Sequence, residues 1–125
     1  MIWTLLYLIL VHWVADFVLQ SRKMGENKSH DNFWLTVHVT VYSFATIVLW
    51  VVFFLSTGTP MSPFSIWKSF IVIYATHWIT DYTTSKITSK YANDKRWYGF
   101  FTTIGFDQVL HYTQLFITYN YLILN

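Results

Sequence analysis

Cysteine is missing from this 125-residue chain, and charged residues are scarce at 11%. Without a thiol, the chain cannot build a disulfide framework or a thiolate metal site. Soluble domains usually carry roughly 25% charged residues, so the low share here favours a membrane protein. No Lys or Arg precedes Arg22, so the positively charged start that is typical of a signal peptide is missing. We therefore expect no cleaved leader. The length predicts a single domain over residues 1–125.

Hydrophobic residues make up 54% of the chain, and aromatic residues alone make up 22%. A helix needs about 20 mostly apolar residues to cross a bilayer. Four segments come close to that requirement, at residues 2–19, 33–55, 64–84 and 102–124. The fold class predicted from them is all-α, an integral membrane four-helix bundle.

Positive charge is concentrated in two of the three connections. Seven of the eight Lys and Arg residues lie at 21–32 and 85–96, while the turn at 56–63 carries no charge. The eighth is Lys68, near the start of the third segment. Cytoplasmic loops are enriched in Lys and Arg, so both basic loops are predicted to be cytoplasmic and both termini extracytoplasmic. The aromatic stretch 97–101 is expected to form a short piece at headgroup level.

Three histidine–aspartate pairs stand inside the apolar segments, each with its members four residues apart. The pairs are His12 with Asp16, His77 with Asp81, and Asp107 with His111. Side chains four residues apart share one helix face. The order reverses in the fourth segment, which runs opposite to the first and third, so all three aspartates are predicted nearer the cytoplasm with the histidines about one turn deeper. His38, near the cytoplasmic start of the second segment, has a similar predicted depth.

A carboxylate at the centre of a bilayer costs at least ~2.5 kcal/mol, and three that converge also repel one another. Divalent cations offset this cost, and mixed imidazole and carboxylate ligands suit zinc, with manganese and iron as alternatives. One ion leaves three carboxylates under-neutralised, whereas two ions and a bridging hydroxide balance them, which favours a dinuclear site. The predicted metal ligands are His12, Asp16, His38, His77, Asp81, Asp107 and His111. No separate general base is evident, so Asp16, Asp81 and Asp107 are also the predicted catalytic residues.

A bound metal lowers the pKa of water to about 7, which predicts hydrolase chemistry. Two other interpretations remain open. The pairs could be contacts that hold helices together, or steps of a proton or ion relay. The rival function is accordingly a non-enzymatic membrane protein, either such a relay or a small structural or regulatory subunit with a structural metal. His30 lies in a polar loop and is expected to be solvated.

The polar residues also form a recognisable series. In chain order they are His12, Asp16, Phe17, Gln20, His38, His77, Asp81, Asp107, Gln108 and His111. Over nearly the whole chain, the series resembles a family of small bacterial and phage polytopic membrane proteins of unknown function, and the broader group of membrane-bound metal-dependent hydrolases. The resemblance implies a protein of the bacterial inner membrane with these His and Asp residues as metal ligands. Gln20 and Gln108 would then hold the ligands in place or contact substrate.

The predicted function is a membrane-embedded, metal-dependent hydrolase that acts near the cytoplasmic leaflet on a lipid-linked or amphipathic substrate. Its expected partners are membrane lipids and that small-molecule substrate, and no nucleic acid. Assembly into a homo-oligomer is left open.

Overall fold

The computed structural model describes residues 2–123, and nearly all of them are helical. The helices are α1 (Ile2–Trp13), which continues as a π-helical turn (Val14–Val18), α2 (Arg22–Asn27), α3 (Asn32–Thr57), α4 (Pro63–Asn93) and α5 (Trp97–Thr118), which continues as a second π-helical turn (Tyr119–Ile123). The described residues contain no β-strand. The all-α prediction is confirmed.

The four longer helices lie side by side in a closed ring of contacts. α1 packs against α3 and α5, and α4 packs against the same two helices. Short connections join the helices, so consecutive long helices run in opposite directions. The turn between α3 and α4 begins at Gly58, whose φ of 69° is left-handed and costs a glycine little. Ser62 and Pro63 then start α4, with the Ser62 hydroxyl accepting from the backbone N–H of Ser65.

The first basic connection, predicted as a loop, contains the short helix α2. The hydroxyl of Ser21 caps it by accepting from the backbone N–H of Met24 at 3.3 Å. Asp31 caps α3 in the same way, because its Oδ1 accepts from the backbone N–H of Phe33 at 2.8 Å. The connection is therefore folded. It places Lys28, at the end of α2, against the buried interior of the four-helix bundle.

α4 continues nine residues beyond its predicted end at residue 84, through most of the segment predicted as a loop. No Gly or Pro interrupts residues 85–93. The Thr88 hydroxyl also donates to the carbonyl of Thr84, one turn earlier, at 3.0 Å. Polarity in this stretch therefore marks a solvated helix rather than a loop. The aromatic residues 97–101 belong to α5, and the predicted end of the fourth segment at residue 124 lies outside the described residues.

The distribution of side chains is inverted relative to that of a soluble domain. Among the described residues, twelve polar or charged side chains are buried, against eleven apolar ones. Large apolar side chains face outwards on every long helix, and Trp3, Leu55 and Phe64 are 78%, 77% and 64% exposed. Among the described helices, α3 is the one that is long and apolar enough to cross a membrane, and residues 2–18 are apolar but shorter.

One cluster of buried residues is apolar and consists of Leu8, Val11, Ala15, Tyr42, Trp50, Phe54, Ile73 and Leu115. The acid–histidine pairs lie beyond it, towards α2, with all but Asp107 buried. The candidate site therefore sits at the end of the molecule where the Lys and Arg residues are concentrated.

Candidate metal centre

Four side chains from three segments aim one ligand atom each at a common point. They are Asp16 from the first π-helical turn, His38 from α3, and His77 and Asp81 from α4. Nε2 of His38 lies 3.0 Å from Oδ1 of Asp16 and 3.2 Å from Oδ2 of Asp81. Nε2 of His77 lies 3.6 Å from each of those oxygens and 3.3 Å from Nε2 of His38. We call these residues the four-ligand group.

These spacings match a tetrahedral ion. Ligands at about 2.0–2.1 Å from such an ion lie roughly 3.3 Å from one another. Oδ1 of Asp16 is buried and makes no hydrogen bond to any described residue, although it lies 3.0 Å from a ring nitrogen. Such an oxygen needs a partner, and a bound ion, a water or a protonated His38 would supply one. Two imidazoles and two carboxylates suit zinc, and also manganese or iron.

Asp16 reaches this point because α1 widens into a π-helical turn at Val14–Val18. Such turns insert one residue into an α-helix and occur frequently at functional sites. Ala15 and Asp16 are buried there, while the next residue, Phe17, is 46% exposed. The turn thus brings a carboxylate inwards at the end of an otherwise apolar helix.

A second group shares Asp16 and lies beside the first. It consists of Asp16, Asp107 and His111. Nε2 of His111 lies 3.3 Å from Oδ1 of Asp107 and 3.0 Å from Oδ1 of Asp81. Asp81 therefore contacts both groups: its Oδ2 lies beside His38 of the four-ligand group, and its Oδ1 lies beside His111 of the second group. We call Asp16, Asp107 and His111 the three-ligand group.

Neutral side chains hold Asp107 in place. The Thr84 hydroxyl donates to Oδ1 of Asp107 at 2.6 Å, and Nε2 of Gln108 donates to Oδ2 at 3.1 Å. Oε1 of Gln108 accepts from Nε2 of His12 at 2.9 Å, and the Tyr42 hydroxyl lies 3.0 Å from Nδ1 of the same ring. A neutral His12 with its proton on Nε2 satisfies both contacts. Gln108 thus donates to an acid of the site, as in one of the two roles that the family resemblance implies for it.

His12, a predicted ligand, lies outside both groups that could hold a metal. Its two ring nitrogens face Gln108 and Tyr42, and its distance to Oδ2 of Asp16 is 3.5 Å. The other six predicted ligands fall into the two groups. His30 is exposed and contacts only its neighbours Asn27 and Ser29, as expected for a solvated residue.

Aromatic stacking orients two of the histidines. The Tyr42 ring stacks on His77 at 3.8 Å, and His77 stacks on His111 at 4.1 Å. The Nδ1 atoms of both histidines have no hydrogen-bond partner among the described residues, so ring packing takes the place of the usual orienting hydrogen bond. Sequence analysis missed Tyr42. The available signal was its spacing, four residues beyond His38 on the same helix face.

Lys28 is the second residue that sequence analysis missed, since its charge was ascribed to topology alone. Its Nζ lies 2.8 Å from Oδ2 of Asp81 and 3.4 Å from Nε2 of His38. Burial alone would lower the pKa of Lys28, but the carboxylates of Asp81 and Asp16 outweigh it and raise that pKa above its usual value. With this ammonium present, one divalent ion already balances three carboxylates. Charge no longer argues for two ions, and the support for a second ion is the three-ligand group itself.

A cleft of about 380 Å³ leads from the polar interior to α2 and the basic end of the molecule. Asp107 lines it and is the most exposed of the three carboxylates, at 16%. Gln20 also lines it, and its buried Oε1 has no hydrogen-bond partner among the described residues. Gln20 therefore faces the space that a ligand could enter, and contacts neither ligand group through a hydrogen bond.

Comparison with known proteins gives one family. No curated protein and no solved structure matches the chain. One family's sequence model matches residues 4–125, which is almost the whole chain. The chain therefore belongs to the family described as "Protein of unknown function (DUF3307)".

Proposed function

We propose that this protein is a membrane-embedded, metal-dependent hydrolase that acts near the cytoplasmic leaflet on a lipid-linked or amphipathic substrate. The observation that carries the proposal is the three-ligand group, which opens onto a cleft through Asp107. The four-ligand group lies beside it, and Nε2 of its His38 lies 3.0 and 3.2 Å from two of its carboxylate oxygens. A metal centre with access to a cleft is what metal-assisted hydrolysis requires.

The inverted distribution of side chains supports a membrane location. Buried polar residues and apolar outer surfaces are expected where lipid replaces water. α4 and α5 turn His77, Asp81 and His111 inwards, which lowers their overall hydropathy without exposing a charge to lipid. The concentration of Lys and Arg at one end then orients a four-helix bundle in the bacterial inner membrane, with that end cytoplasmic and both termini extracytoplasmic.

The two ligand groups suit different roles. Zinc held by four protein ligands is usually structural, whereas catalytic zinc has three protein ligands and one open position. We therefore assign a structural ion to the four-ligand group and the chemistry to the three-ligand group on the cleft.

A metal there would polarise a water molecule and lower its pKa to about 7. Asp107 accepts the proton of that water, because no further carboxylate among the described residues contacts the groups and Glu26 in the cleft pairs with Arg22 at 2.6 Å. The water oxygen bonds to the electrophilic carbon or phosphorus of the substrate as the bond to the leaving oxygen breaks. Asp107 then returns the proton to the leaving oxygen, which balances the hydrolysis.

A non-enzymatic function is the alternative, and one observation favours it. Imidazole and carboxylate groups are in contact from Asp107 through His111 and Asp81 to His38, at 3.3, 3.0 and 3.2 Å, and such groups can gain and lose protons as a relay requires. A closed four-ligand group would equally suit a small structural or regulatory subunit with a structural metal.

The substitution Asp107→Asn separates these functions. In protein purified in detergent, we expect it to abolish hydrolysis of an amphipathic ester while the ion in the four-ligand group is retained. Asp94→Asn, at an exposed acid beyond α4, is the control and should leave both properties unchanged. A wild type that holds a stoichiometric metal but hydrolyses neither carboxylic nor phosphoric esters would reject the enzyme in favour of a structural metal.

A further inference from the structure

Lys28 lies at the junction of the four-ligand group and the cleft. Its ammonium contacts two members of that group, Asp81 and His38. Its side chain is 19% exposed, and it lines the cleft. It is the only lysine or arginine among the residues that line this cleft.

A divalent ion in the four-ligand group would use the lone pair of His38 that now faces the ammonium. Like charges at such a separation repel, so the ammonium and the ion cannot keep their positions together. The four-carbon stem of Lys28 is flexible and lets the ammonium turn into the cleft, beside the three-ligand group.

The cleft has one further acid, Glu26, whose charge is paired with Arg22 at 2.6 Å. The other walls are mostly of two kinds. Amides and hydroxyls belong to Gln20, Ser29, Thr84, Ser85, Thr88, Ser89 and Gln108. Phe17, Phe100 and Ile104 form an apolar wall. Phe17 continues onto the exposed surface of α1, so a molecule with a polar head and an apolar tail could enter from the lipid side.

The net charge of the site indicates which kind of head group the cleft would bind. Three carboxylates and one ammonium leave two negative charges, and two divalent ions would turn this into two positive charges. An anionic ligand is therefore favoured over a neutral one. Lysine is a common phosphate ligand, and ions bound next to it would share the phosphate oxygens.

We propose that the cleft binds the phosphate group of an amphipathic phosphate ester, with Lys28 on one phosphate oxygen and the apolar tail along Phe17 and Phe100. This inference rests on the proposed function and names the substrate class of the same site. Lys28 is then a residue that determines specificity, through a charge-assisted hydrogen bond.

The test measures equilibrium binding to detergent-purified protein loaded with manganese, with metal content determined in parallel. The ligands are dioleoyl phosphatidate, dioleoylglycerol and inorganic phosphate. We expect the wild type to bind phosphatidate at least about tenfold more tightly than dioleoylglycerol. If inorganic phosphate competes with phosphatidate, the phosphate group alone is recognised. If it does not, the ligand must be a lipid.

Three variants sharpen the test. Lys28→Gln keeps a donor for Asp81 but loses the charge, and we expect it to weaken phosphatidate binding about tenfold. Lys28→Arg should retain binding, and Lys23→Gln, on the exposed face of the same short helix, should not change it.

Equal affinity of the wild type for phosphatidate and dioleoylglycerol would overturn the inference without any variant. Unchanged binding by a folded Lys28→Gln protein would do the same. Neither result contradicts the hydrolase proposal, provided that the protein binds metal. Binding of phosphatidate that depends on Lys28 in metal-loaded protein that hydrolyses no ester would uphold the anion site and reject the hydrolase.

Discussion

Nζ of Lys28 lies 2.8 Å from Oδ2 of Asp81, a contact between residues 53 positions apart in the chain. The contact joins the short helix α2 to the middle of α4 and supplies one of the countercharges that the buried carboxylates need. Lys28 therefore serves both the folding of the first connection and the charge balance of the candidate site.

The Lys28–Asp81 ion pair should be most important when no metal is bound. Lys28→Gln leaves Asp81 buried without its counter-ion, and breaking such a pair costs about 3–5 kcal/mol. We expect a large fall in the thermal unfolding temperature of the metal-free protein and a smaller fall after zinc is added. Lys23→Gln, at an exposed position, is the control. Equal unfolding temperatures for the metal-free wild type and Lys28→Gln would show that the pair is not a structural countercharge.

Three histidine substitutions distinguish ligands from their neighbours. His38→Gln should lose bound metal because Nε2 of His38 belongs to the four-ligand group. His12→Gln should retain it, since His12 lies outside both groups, and His30→Gln is the exposed control. Metal per chain is the quantity to measure. Loss of metal in His12→Gln but not in His38→Gln would require a different ligand set.

The membrane orientation can be tested with single cysteines, because the chain has none of its own. Ser56→Cys, in the last turn of α3 next to the neutral turn, should react in intact cells with a maleimide that cannot cross the membrane. Asn93→Cys, at the basic end, should react only after lysis. Both positions are exposed, so burial does not explain a difference. The reverse labelling pattern would invert the topology and move the cleft to the outer side.

Alanine substitutions at two glycines of α5 test how closely α5 packs against the end of α4. A Cβ on Gly99 would lie 2.8 Å from the ring of Tyr91, whereas a Cβ on Gly105 meets no atom within 4 Å. Gly99→Ala should therefore destabilise the protein by about 1–3 kcal/mol. Gly105→Ala should stabilise the helix by up to about 1 kcal/mol. Chemical unfolding in mixed micelles measures both, and a neutral Gly99→Ala would mean that Tyr91 moves aside without cost.

The apolar segments predicted the four long helices, but not α2 or the last nine residues of α4. Residues four apart share a helix face wherever the helix is regular, so the pairs on α4 and α5 could be predicted from the sequence. The π-helical turn around Asp16 could not be predicted, because no residue type specifies it and it forms through packing of the helices. Lys28 was missed for a related reason. The structure of the polar segment before α3 depends on its own caps at Ser21 and Asp31, and only the folded connection brings the lysine under Asp81.

Polarity was also misleading in places. The Thr88 hydroxyl donates to a carbonyl one turn earlier in α4, and this polar stretch continued as helix where a loop was predicted. Counting charges only within the apolar segments left out Lys28 and overstated the need for a second ion. Electrostatic arguments from sequence therefore fail where a charged residue from a connection folds back into the interior.

The most direct test of the metal centre is elemental analysis of the detergent-purified protein. We predict about one tightly held divalent ion per chain from the four-ligand group, and a second ion that a chelator removes more easily because only three ligands hold it. Asp81→Asn should lose the tight ion while Asp94→Asn keeps it, with circular dichroism confirming that both are folded. A folded wild type that contains no stoichiometric divalent metal, and takes up none when zinc or manganese is added, would contradict the metal centre.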